Sequence, residues 1–121
     1  MSNFLTVAEA SRMTRVYREN RDTILLPAFQ GKDILPVCET IERHFIETLL
    51  SRQGCSKIRI YLGMDEQMQV HAILVGVNEN DEDILPASAS ADDPATGDDE
   101  LIVDNGTRCP PICPPKSDLN E

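Results

Sequence analysis

Residues 57–62 alternate strictly, Lys57-Ile58-Arg59-Ile60-Tyr61-Leu62, and this constrains the fold more than any other stretch. A period of two puts Ile58, Ile60 and Leu62 on one side of a β-strand. Gly63 to Gln67 then turns the chain. Met68 to Val77 follows as a longer strand whose centre, Ala72-Ile73-Leu74-Val75, is apolar on both faces. A run of that kind suits a central position in a sheet. Asn78 to Asp83 is a polar turn, and Ile84-Leu85 before Pro86 offers a third short strand.

Helical signals precede the strands. Thr6-Val7-Ala8-Glu9 is a capping box, in which the Thr hydroxyl and the Glu carboxylate satisfy orphan amides at a helix start. It predicts a helix over Val7 to Asn20, with Val7, Ala10, Met13, Thr14 and Tyr17 on one face. Arg12, Arg15, Arg18 and Arg21 form a basic stripe on the same helix, read as a solvated face paired with Glu9, Glu19 and Asp22. Thr23-Ile24-Leu25-Leu26 before Pro27 reads as an extended segment or edge strand. Pro36 suits the first turn of a second helix over Val37 to Arg52, burying Val37 or Cys38, Ile41, Phe45, Thr48 and Leu49, with Gly54 to stop it. The expectation is an α+β domain over residues 1–86, two helices packed on a small, mainly antiparallel sheet. Ile58, Ile60, Leu62, Val70, Leu74, Ile41, Phe45 and Leu49 are its expected core.

Composition changes sharply beyond Pro86. Residues 87–100 are small and acidic, with five acids and no base, and read as a flexible linker. Residues 101–121 hold a short apolar return, Leu101-Ile102-Val103, and a Cys-Pro-rich tail expected as an extended arm. The net charge of −10 is concentrated between residues 60 and 107, where no Lys or Arg occurs. Such a surface repels phosphate backbones, so nucleic acid is not an expected partner. The start, Met1-Ser2-Asn3-Phe4-Leu5-Thr6, lacks the basic and apolar regions of a secretory signal. No apolar run approaches the ~20 residues of a membrane span. The chain is therefore expected in the cytoplasm, off the membrane, with reduced thiols.

Chemistry points to the tail. Cys109-Pro110-Pro111-Ile112-Cys113 sets two thiols either side of three residues. In extended polyproline geometry, at ~3.1 Å per residue, the two Cα atoms would stand roughly 12 Å apart, beyond the reach of a disulfide. A bridge would need a turn, through a cis proline for example. A zinc site would have to recruit Cys55 and a histidine, His44 or His71, to Cys109 and Cys113, at a spacing unlike paired zinc knuckles. Cys38 and Cys55 are more simply small core residues.

The order Arg59-Ile60-Tyr61-Leu62-Gly63, Val70 to Val77, Asp83-Ile84-Leu85 and the closing Cys-Pro-Pro-x-Cys, with Gly54-Cys55 before the first strand, resembles a group of small uncharacterised Bacteroidota proteins. The resemblance implies a bacterial source and a tail that belongs to the group. It implies no activity. From the residues, the chain reads as a non-enzymatic protein-interaction module, engaging a protein partner through Cys109, Pro110, Pro111, Ile112 and Cys113. The alternative is a thiol-redox or metal-binding protein built on the same two cysteines. No catalytic residue and no cofactor is assigned.

Overall fold

The computed structural model describes residues 3–85, 102–104 and 106–121. The expected linker over residues 87–100, Leu101 and Asn105 lie outside the described residues. In chain order the elements are α1 (Val7–Asn20), β1 (Cys38–Thr40), α2 (Arg43–Leu50), β2 (Cys55–Met64), β3 (Val70–Asn78), β4 (Ile102–Val103) and β5 (Thr107–Cys109). They form an α+β fold with two small antiparallel sheets. One is the three-stranded sheet β2-β3-β4, the other the two-stranded ribbon β1-β5.

The hairpin β2–β3 is the backbone of the molecule. Its register pairs Ile58 with Gly76, Ile60 with Leu74 and Leu62 with Ala72, so these residues share one face. α2 covers that face. Leu49, Leu74 and Val103 form the buried cluster, with Ile41, Phe45, Ile46, Ile58 and Ala72 packed around it. Gly76 permits the fit. A Cβ there would stand 3.0 Å from the Cys55 sulfur and 3.3 Å from the Leu49 carbonyl oxygen, so the last turn of α2 closes onto bare backbone. Three expected core residues do not join, half-buried Val70 among them. Ile60 is 63% and Leu62 77% exposed. Their face is the right one, but α2 is only eight residues long and does not extend over them.

α2 is shorter than its periodicity predicts because Cys38–Thr40 are taken by β1. That strand pairs with β5, Cys38 opposite Cys109 and Thr40 opposite Thr107. The helix starts instead after Glu42, which holds extended backbone. It ends before Gly54, whose φ of +83° is the left-handed conformation that glycine tolerates best. The expected strand at Thr23–Leu26 is absent; Pro27–Phe29 form a short 3₁₀ turn there. The third strand expected at Ile84 is reduced to a single bridge between Val77 and Asp83.

α1 begins where the capping box places it, with the Thr6 hydroxyl accepting the Glu9 amide at 3.1 Å. Its attachment is polar. No α1 residue is buried, and Met13 and Val16 face solvent. Tyr17 donates to the Pro36 carbonyl at 2.6 Å, and Arg21 to the Leu35 carbonyl at 2.6 Å and to Asp33 at 3.2 Å. Arg18 donates to the carbonyls of Leu119 and Glu121. The stripe read as solvated thus supplies two of the anchors of the helix. Among the described residues no helix is long and apolar enough to cross a membrane.

Candidate functional site

The tail is not an extended arm. The Cys109–Pro110 and Pro110–Pro111 peptides are cis, and Cys109 and Cys113 are joined as a disulfide with their Cα atoms 4.6 Å apart. The expectation of separated, reduced thiols is overturned at these two positions. Extended polyproline geometry assumes trans peptides throughout, and this segment does not have them.

The loop is fixed to the domain at its base. Cys109 ends β5 and is 4% exposed, while Cys113 faces solvent. The Ile112 amide donates to the Arg108 carbonyl at 3.1 Å. Arg108 is the clamp beneath. Its guanidinium donates to the carbonyls of Val70 (3.1 Å), Pro110 (3.3 Å) and Ile34 (2.9 Å), and to that of Asp33. The residue is 7% exposed. One side chain thereby ties the loop to β3 and to the segment before β1. Above this base Ile112 is 66% exposed, held away from the core by the ring that contains it.

The proposed zinc set does not assemble. The disulfide uses both tail sulfurs, and Cys55 turns its thiol toward the Lys57 carbonyl at 3.4 Å. His44 lies exposed on α2 beside Glu42, 3.3 Å away. Among the described residues no three His, Cys, Asp or Glu side chains are arranged to hold a metal. Cys38 and Cys55 are free and half-buried, at the margin of the core rather than within it.

One polar constellation is invisible in the sequence. His71 on β3 stands between two carboxylates, with Nδ1 3.2 Å from Glu39 and Nε2 2.7 Å from Asp65. The other Glu39 oxygen accepts the Ala72 amide at 2.7 Å. Asp65 also accepts the amides of Gln67 and Gln69. The Gln69 amide, and after it His71, hold its carboxyl below the usual carboxylate range. Asp65 and His71 border a cleft of about 430 Å³ whose lining also includes Gly63, Met64, Ile73 and Asp104. Both ring nitrogens are already engaged, and that lining carries no Ser, Thr, Cys or Lys. The arrangement locks β1 to the β2–β3 turn. No spacing signal could have found it, because Glu39, Asp65 and His71 belong to three separate segments.

No family model matches the chain, no curated protein is similar to it in sequence, and no solved structure matches its fold.

Proposed function

We propose that this protein is a non-enzymatic interaction module whose binding element is the Cys109–Cys113 loop. The observation that carries the reading is Ile112, an aliphatic side chain 66% exposed on a ring whose base is clamped by Arg108. An apolar side chain held out on a fixed loop binds without the ordering cost that a free tail would incur. Pro111, Pro114 and Pro115 flank it in the open, adding rigid apolar surface. The partner is a protein with a shallow apolar pocket. Nucleic acid does not suit a chain of net charge −10, and the cytoplasm remains the proposed compartment.

The test is photo-crosslinking from position 112 in the native cell. A specific adduct at 112, lost in Cys109→Ser and absent from a probe at the equally exposed Ile24, supports the reading. The same adduct from both positions, or none from 112, overturns it.

A second reading has its own observation. Of the two bridged residues Cys113 is exposed, and Cys38 stands free directly across from Cys109. Cytosolic disulfides are usually transient and redox-active. In thiol-disulfide exchange, a partner thiolate would attack the Cys113 sulfur, breaking its bond to Cys109. Cys109 would leave as a thiolate, and a mixed disulfide would remain. Equilibration in glutathione buffers, read by mass spectrometry, checks this. A midpoint within the cytosolic range supports exchange; a pair that stays oxidised across that range leaves the loop as a fixed structural ring.

A further inference from the structure

β2 is an edge strand. The sheet order is β2-β3-β4, and among the described residues no strand pairs with the outer side of β2. At ten residues it is the longest strand of the protein, and an uncapped edge of that length is a template for another strand. It also carries an uncovered apolar row. Ile60, Leu62 and Met64 follow Ile58 on the face that α2 leaves bare, at 63%, 77% and 58% exposure.

The stretch 86–101 is poor in the side chains such a row would pack against. Apart from Leu101 its residues are Pro, Ala, Ser, Thr, Gly, Asp and Glu, with no large apolar side chain to lay on the row. The sequence of β2 and its next residue, Lys57-Ile58-Arg59-Ile60-Tyr61-Leu62-Gly63-Met64-Asp65, complements its own reverse. Turned about Tyr61, Lys57 meets Asp65, Ile58 meets Met64, Arg59 meets Gly63 and Ile60 meets Leu62. Opposite charges therefore face each other at the ends and aliphatic side chains in the middle. The long Arg59 side chain, which reaches to Asp81 and Asp83, passes a residue with no side chain of its own.

We infer that the protein self-associates through β2, two copies pairing antiparallel about a two-fold axis at Tyr61. Two three-stranded sheets then become one six-stranded sheet. The dyad is perpendicular to the sheet, so both α2 helices lie on the same face. The two apolar rows form a continuous floor between them. Cross-strand pairs of Ile60 with Leu62 of the second copy supply the centre of the contact. The acidic charge of each chain lies mostly outside β2, which itself carries Lys57 and Arg59 and no acid.

Sedimentation velocity on the full chain over a concentration series tests this. The expected result is reversible formation of a species of twice 13.5 kDa. Leu62→Lys should weaken it by roughly 2- to 30-fold, since each interface loses two Ile60–Leu62 cross-strand pairs. Leu62 is exposed in the single chain, so circular dichroism should stay unchanged, and so should Tm at concentrations low enough for both proteins to be monomeric. A monomer at every concentration, or a dimer indifferent to Leu62→Lys, overturns the inference. If the lysine variant does not fold, Tyr61→Cys in a Cys38→Ser, Cys55→Ser background decides. A residue on the dyad faces itself, so a short bis-maleimide must link Tyr61→Cys chains and must not link Thr23→Cys chains. Equal or absent linking overturns the inference.

Discussion

Arg108 shows how much can depend on one side chain that no pattern announces. Its guanidinium satisfies four backbone carbonyls from three parts of the chain. In the sequence it is a single base next to a cysteine. Each acceptor orphaned in the interior costs about 1–3 kcal/mol. Arg108→Gln should therefore cost about 3 kcal/mol or more in urea unfolding, despite removing only one residue's contacts. Burial separates two residues that the sequence treats alike. Leu49→Ala, at a fully buried site, should cost about 2–5 kcal/mol, whereas Ile60→Ala should cost under about 1 kcal/mol in the monomer. A third residue-scale prediction concerns acid. Lys57 and then Arg59 lower the pKa of Asp81, and the Tyr61 hydroxyl and then Arg59 lower that of Asp83. A carboxyl whose folded pKa is depressed gives stability that is complete above its unfolded value, ~4, and is lost as pH falls through the folded one. Tm should thus drop between pH 5 and pH 3 (round values bracketing that carboxylate pKa of ~4). The double variant Asp81→Asn, Asp83→Asn should start lower at neutral pH and lose less on acidification.

At the scale of elements, local signals held and long-range ones did not. The start of α1 is legible because a capping box is a four-residue affair, and β2 and β3 are legible because alternation needs no partner. β1 is not legible. Residues 37–52 carry a helical period throughout, and only the arrival of β5 from far along the chain turns Cys38–Thr40 into a strand. β5 itself is hidden for the same reason. The apolar face of α1 misleads in the opposite sense, since its arginines and Tyr17 find carbonyl partners and Met13 is left outside. The site residues Cys109 to Cys113 were legible as a motif, while their closure into a ring was not, because proline pairs are extended by default. The close passage of α2 over Gly76 gives the element-scale prediction. Gly76→Val would drive a side chain into the Leu49 carbonyl and the Cys55 sulfur, and should lower Tm by several degrees even though valine favours strands.

For the whole molecule, the division at residue 86 does not separate a finished domain from a tail. β4 contributes Val103 to the buried cluster, and β5 completes the β1 ribbon and carries Arg108. A chain truncated after residue 86 should lack a cooperative unfolding transition, which calorimetry would show. Replacing Cys109 and Cys113 by serine is a milder change. A ring this short is worth roughly 2 kcal/mol by loop closure, so the double variant should fold with a lowered Tm.

The pairing of β4 with β3 and of β5 with β1 has one more consequence. Neither contact requires the peptide bonds between residues 85 and 102 to be intact. A protease site placed in that stretch should yield two pieces that co-elute after cleavage and separate only in denaturant. Expressed apart, the same pieces should recombine into a folded whole, so the protein is built as a natural pair of complementing fragments.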